Sequence, residues 1–460
     1  MSTNDSNLNR LSKYIGELKF EDLPDEVAKN ARLIISDTLG VIICGYNEEE
    51  IEKISREYIV REDKCIYKST VFNNKFEKTD IYNSSFLNSS AACFIELDEL
   101  SHSALHILPV ALSIFEVKSL SYKDLITAFV CGYEVHNRIN SCIKLSKGVY
   151  PHGNIGHISA FVTIAKLLKL NAHKIYKGIL CAASLPLATS YAPTIYGSNI
   201  ASFFSSFSGY IALQVVKLIE SEEINSYEGA LEDTYGNILG TNFNIDKLTS
   251  NLGETFFLKK PFFKMYPVCG MCYPSISALL SICKYNKVSK TYSLINDYNE
   301  SDVDKIELFQ YDDRASRVMV KAFNKYSAKF SLPFSIAILL CKGKLTVEDI
   351  NLDNINSKEV QSIQNKISFS VDKSLNKNFW SRGSARIRIY FKDGSQIEGI
   401  NNHIFGSPNS SINTEDLSNK FINNLKNHLE KNQALNLWDD LVKNNNVENL
   451  YFEDIFNFKK

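Results

Sequence analysis

A chain of 460 residues exceeds what one hydrophobic core usually serves, so two domains are expected. Hydrophobic residues make up 44% and charged residues 22%, as in an ordinary folded protein, and a formal net charge of −1 leaves no basic field for nucleic acid and no acidic excess for disorder. The ten cysteines follow no framework spacing and read as reduced and buried, and MSTNDSNLNR has no apolar secretory core, so the cytoplasm is the expected location.

Leu23-Pro24 precedes a periodic run over residues 27–43, where Ala31, Ile34, Ile35, Thr38 and Leu39 recur near helical spacing. Further helices are expected over 104–117, 122–139, 158–170, 173–184 and 202–219, with sparse strand signals among them. The apolar stretch 104–115 is too short to span a bilayer, and no membrane partner is expected. After about Phe262 the pattern changes. Residues 305–308 and 366–371 alternate in the strand manner, and Ala385, Ile387, Ile389 and Phe391 share one face of a strand over 385–391. Asp393-Gly394 then turns the chain into a strand over 396–400. A helix over 330–341, closed by Gly343, lies between these strands, and 414–441 returns to helix. The expected fold is mainly α. A large all-helical domain, 1–262 rejoined by 401–460, carries a smaller α+β lid domain, 263–400, inserted before the C-terminal helices.

Three segments carry chemistry. The first, Glu96-Leu97-Asp98-Glu99-Leu100-Ser101-His102 followed by Ala104-Leu105-His106, sets three carboxylates and two imidazoles before an apolar helix. That composition suits acid–base work or anion binding; a solvated loop with a capping Ser or Asp is the other reading. Neither H-E-x-x-H nor paired C-x-x-C spacing supports a metal site. The second, Tyr150-Pro151-His152-Gly153, precedes a helix, so His152 can stand at its positive end, which favours a carboxylate ligand and depresses an imidazole pKa. The alternative is a turn whose histidine faces solvent. The third is Lys264 amid Phe262, Phe263, Tyr266 and Tyr273. Partial desolvation would lower its pKa and make it a base or a clamp; a snorkelling lysine is the alternative. Cys269 and Cys272 form a single pair with no second pair to complete a zinc site.

Taken in order, these segments resemble the MmgE/PrpD family of 2-methylcitrate dehydratases, cis-aconitate decarboxylases and iminodisuccinate epimerases. The resemblance begins at Ala31-Arg32-Leu33-Ile34-Ile35-Ser36-Asp37-Thr38-Leu39-Gly40 and runs through the acidic loop, Leu108-Pro109-Val110-Ala111-Leu112 and Gly132-Tyr133-Glu134. It continues with His152-Gly153, Lys264, Cys269, Lys329-Phe330-Ser331-Leu332-Pro333-Phe334 and Gly406-Ser407-Pro408. It implies an active site in the cleft between a helical domain and a lid, a small carboxylate substrate, a homodimer, and no metal or organic cofactor. The implied chemistry is elimination or decarboxylation beside a carboxylate by acid–base catalysis, in a lyase. An epimerase or isomerase and a repurposed, non-catalytic ligand binder are the alternatives. The catalytic set it implies is His102, His152, Lys264 and Asp98, with Glu96, Tyr273, His106, Gly153 and Tyr150 around the substrate; His106 rivals His102, and Tyr150 rivals His152. His152 and Lys264 are expected to matter for turnover more than for folding. Where many relatives carry cationic or imidazole side chains, this sequence has Gly270, Tyr273 and the stretch Ser198-Asn199-Ile200-Ala201. If those positions face the cleft, the pocket has lost positive charge and gained room.

Overall fold

The computed structural model describes residues 6–59, 67–311, 313–375, 383–401, 403–408, 410 and 412–457. Helix accounts for 55% and strand for 11%, which makes the fold mainly α.

The helix Asp25–Gly45 starts after Pro24, with Asp25 and Glu26 in its first turn where the macrodipole favours negative charge. From Leu33 onward it is buried on every side. Ser103–Val117, Tyr122–Cys142 and Gly156–Leu167 form where expected, within a few residues at their ends, and are likewise largely buried. Helices buried all round are central ones. Ile81–Phe94 has no counterpart in the sequence reading. Its sequence, IYNSSFLNSSAACF, is rich in serine and asparagine, which weaken helix signals, and its apolar residues do not segregate to one face. Asp80 nonetheless caps it through the amides of Tyr82 and Asn83, and small side chains let it lie deep in the bundle. The helical part is not purely helical. Short ribbons pair Lys68–Thr70 with Lys78–Asp80 and Ile143–Leu145 with Gly240–Phe243.

A four-stranded sheet runs in the order Gln396–Ile400, Ala385–Phe391, Val303–Gln310, Ile367–Val371. The first two pairings are antiparallel and the last is parallel. The parallel pair needs a long crossover, which contains Leu332–Lys342 and Lys358–Asn365. Alternate residues Ala385, Ile387, Ile389 and Phe391 are buried as their period demands, on the sheet that packs with helix Tyr273–Leu280. The expected C-terminal helix divides into Thr414–Leu425 and Lys431–Val442, with Glu430 closing a capping box at the break.

Buried hydrophobic side chains form two clusters. One gathers the N-terminal helices and, from the C-terminus, Leu417, Phe421 and Trp438. The other gathers residues from Phe262 to Ile404. Phe263 belongs to the first and Phe262 to the second, so the chain passes between cores at that step. Tyr150, Tyr191 and Ala201 reach into the second core from the helical part. The stretch Asn199–Glu220 is long and apolar enough to cross a membrane, but 61% of its most apolar window is buried, as in a core helix.

Gly45 shows how closely the central helices approach. A Cβ there would lie 2.0 Å from the carbonyl oxygen of Ala91 in helix Ile81–Phe94. That neighbour is backbone and can yield only if the helices part. Gly45→Ala is therefore expected to destabilise the protein by at least about 1–3 kcal/mol, the usual range for overpacking. A thermal melt checks it, and an unchanged midpoint would mean that the helices separate freely.

Candidate active site

The acidic loop leaves helix Ile81–Phe94 and turns sharply twice. Glu96 and His102 both adopt left-handed backbone conformations, at φ 56° and 59°. Glu99 rather than a serine or aspartate caps the next helix. Its carboxylate accepts from the amides of Ser101 at 2.6 Å and Ala104 at 3.2 Å. Three buried lysines from three distant segments hold the main chain of this loop. Lys329 Nζ donates to the carbonyl of Phe94, Lys264 Nζ to that of Glu96 at 3.4 Å, and Lys420 Nζ to that of Leu97 at 3.0 Å. Lys420 also pairs with buried Asp37 at 2.7 Å, tying the loop to helix Asp25–Gly45.

Lys264 is wholly buried and lies 3.1 Å from Glu96 Oε1 and 3.4 Å from Asp98 Oδ1. Burial alone would lower its pKa, but Asp98 and Glu96 outweigh it and hold the ammonium above its usual range. The expected depression is therefore corrected: Lys264 is a fixed cation. It also stands outside the cavity wall, so the structure does not place it against a ligand there. Asp98, also wholly buried, is pushed up by burial, with Lys264 opposing. Its second oxygen lies 2.7 Å from His102 Nδ1. A carboxylate bound to Nδ1–H fixes the tautomer and orients Nε2, the arrangement of a histidine base on its acid. Among the described residues, Glu96, Asp98 and His102 form the group with metal-ligand geometry, their ligand atoms lying within 4.8 Å of one another. The Lys264 ammonium already pairs with both carboxylates.

His152 lies across from His102, with ring centroids 4.7 Å apart. Asn154 closes its turn by donating to Tyr150 O at 2.6 Å and Thr189 Oγ1 at 2.9 Å. His152 Nδ1 meets His106 Nε2 at 3.1 Å, and His106 stacks on His136 at 5.3 Å. Burial first, then the nearby His102 and Lys264, press the His152 pKa well below its usual value. The direction matches the sequence reading, but the cause is desolvation, since the following helix begins only at Gly156.

A cavity of about 730 Å³ opens on these groups, within the usual size of ligand sites. Glu96, His102, His106, Tyr150 and His152 line it. Gly153 and Tyr273 do not. Gly153 has φ 85° and its Cβ would crowd Thr189, so its role is in the backbone of the turn. The Tyr273 hydroxyl is consumed by Tyr266, donating to the carbonyl at 2.7 Å and accepting from the amide at 2.9 Å. Gly270 lines the cavity, whereas Ala201 is packed in the second core. Positive charge reaches the cavity from other segments, through Lys147, Lys260 and Arg317. Glu99, Tyr133, His136, Asn137 and Asn140, none of them in the set drawn from the sequence, also line it. The last four share a signal: the spacing i, i+3, i+4, i+7 sets them along one face of helix Tyr122–Cys142. Arg317 had none, lying in a segment without a motif.

Burial, and then the neighbouring Asp98, raise the Glu99 pKa to about 7. The folded protein keeps this proton to about pH 7, while an unfolded chain releases it near 4.5. The stability it contributes is complete below about pH 4.5 and is lost as pH rises through 7. Glu134 shifts the same way, so comparison with a variant isolates Glu99. Between pH 5 and 8 the wild type should lose up to about 3 kcal/mol more stability than Glu99→Gln. Urea melts across that range check it, and parallel curves would place the proton elsewhere.

Residues 9–196 match the model of the MmgE/PrpD N-terminal domain, and residues 266–442 that of the MmgE/PrpD C-terminal domain. The cis-aconitate decarboxylase of Mus musculus is 23% identical over 425 residues, covering 88% of this chain and 83% of that protein. A cis-aconitate decarboxylase of Aspergillus terreus is 21% identical over 412 residues, covering 84% and 82%. Both halves of the family's architecture are thus present, in order and over most of the chain, and the protein belongs to the MmgE/PrpD family.

Proposed function

We propose that the protein is a lyase that breaks a bond alpha or beta to a carboxylate of a small polycarboxylate, by acid–base catalysis. The observation that carries this reading is the pair of imidazoles in one cavity, 4.7 Å apart, of which His102 is seated on the buried Asp98 carboxylate. His102 takes or returns the proton at the reacting carbon, with Asp98 stabilising its imidazolium. His152 serves the developing charge as acid or hydrogen-bond partner. Lys147, Lys260 and Arg317 supply cations for the substrate carboxylates. Lys264 acts through Asp98 and Glu96, fixing their charge and position. The relatives named cis-aconitate decarboxylases support decarboxylation over dehydration. With this reading go a homodimer, a cytoplasmic location and turnover without metal or organic cofactor. The second core forms the lid over the cavity, which residues of both cores line.

Proton NMR in deuterated buffer with cis-aconitate, 2-methylcitrate, citrate and iminodisuccinate tests the reading. Conversion of an acid to a new product with deuterium incorporated is the expected result. Exchange alone would point to an epimerase, and neither exchange nor conversion of any of the four would overturn the lyase.

Three variants separate the roles. His102→Ala and His152→Ala should each lower kcat by about 10²–10⁴-fold, the range for a positioned acid–base group. Lys264→Ala should lower activity and also stability, by about 3–5 kcal/mol, because it strands two buried carboxylates. This replaces the expectation that Lys264 matters little for folding; an unchanged melting midpoint in Lys264→Ala would refute it. Activity should also survive exhaustive EDTA treatment. Loss that one divalent metal restores would turn Glu96, Asp98 and His102 into ligands.

A further inference from the structure

A chain of polar groups lies behind His152. His152 Nδ1 is 3.1 Å from His106 Nε2, and His106 Nδ1 is 2.9 Å from Ser208 Oγ. All three residues are buried. The His106 ring is tightly seated, since a Cβ at position 156 would fall 2.2 Å from its Nδ1 and 2.7 Å from Ser208 Oγ. Around the pair stand His102 and Tyr150, each with its ring 4.7 Å from that of His152, and His136, stacked on His106 with its own Nδ1 taken by Ser159 Oγ at 3.1 Å. Lys264 acts on His152 from behind Asp98 and Glu96.

A neutral imidazole has one N–H and one lone pair, so the direction of a single bond sets the direction of the whole chain. Among the described residues, His106 Nδ1 is the acceptor that meets the Ser208 hydroxyl. If that hydroxyl donates to Nδ1, His106 carries its proton on Nε2 and donates to His152 Nδ1. His152 then carries its proton on Nε2, the ring nitrogen left for a ligand in the cavity it lines. Every group in the chain is satisfied. The opposite direction strands the hydroxyl hydrogen of buried Ser208 without an acceptor, which is the costlier arrangement.

We propose that Ser208 and His106 are positioning residues that lock His152 as a neutral Nε2–H donor, aimed at negative charge developing on the substrate. Proton transfer at carbon then belongs to His102 with Asp98. The inference rests on the proposed lyase chemistry for its use, but the lock itself can be tested without a substrate.

The test is nitrogen NMR of the full-length protein with ¹⁵N-labelled histidine, with the His152 signals assigned through His152→Gln. Between pH 6 and 8, His152 should show a protonated Nε2 and a lone pair on Nδ1. Ser208→Ala should mix the two tautomers and Ser208→Thr should restore one. His106→Gln, whose amide can still donate, should keep the wild-type tautomer, while His106→Glu, which only accepts when ionised, should reverse it. A His152 Nδ1–H tautomer or an imidazolium in the wild type would overturn the lock, as would an unchanged pattern in both Ser208→Ala and His106→Glu. The wild-type measurement decides even if a variant fails to fold. The expected tautomer in a protein inert towards all four acids would leave the lock standing and remove the lyase reading.

Discussion

The ion cluster of Lys264, Glu96 and Asp98 is the constraint on which the rest of the site depends. Each ion taken out of water costs several kcal/mol, and only close, well-bonded partners offset that cost. Here the offset comes from an ammonium paired with two carboxylates, and from further bonds to the main chain of the loop. Lys264, Lys329 and Lys420 each hold a carbonyl of residues 94–97. Lys329 stands at the C-terminal end of helix Ile81–Phe94, where carbonyls lack partners and a cation is favoured, and its ammonium lies 4.4 Å from the centre of the Phe94 ring. The lysines come from the step between the cores, from the second core and from the returning C-terminal helix. The loop that bears Asp98 and His102 is therefore held from all three parts of the chain.

From that cluster follows the difference between the two imidazoles. Asp98 binds Lys264 with one oxygen and His102 with the other, so the charge of Lys264 is felt at His102 through a carboxylate that cannot move. Among the described residues no carboxylate stands against the His152 ring; it meets another neutral histidine, and burial drives it towards the uncharged state. Environments that separate two titratable groups in this way assign them different work. The positive groups that meet solvent, Lys147, Lys260 and Arg317, belong to the cavity wall and are suited to capturing anions. Lys264, which meets no solvent, belongs to the framework.

Much of this was legible in the sequence because it is local. Helical period found the central helices, strict alternation found Ala385–Phe391, and Asp393-Gly394 found its hairpin. The acidic loop, His152 and Lys264 stood out because such residues are rare in apolar surroundings, and their order carried the family. Helix Ile81–Phe94 escaped because a helix buried on all sides has no polar face to set its period. Tyr273 was misplaced because side-chain type says nothing of direction. Its hydroxyl turns back to Tyr266 seven residues earlier, away from the cavity.

By itself, then, the sequence determined the mainly helical class, the change of period after Phe262, the family and the segments that carry the acids, imidazoles and lysine. Only the tertiary structure decided what those groups are. Lys264 and Asp98 are 166 positions apart in the chain, Ser208 and His106 are 102 apart, and Lys420 and Leu97 are 323 apart. Periodicity reports which way a residue faces within its own element. Protonation state and hydrogen-bond direction depend instead on the distance to partners from other elements and on the water excluded between them, and both are fixed only when the cores close.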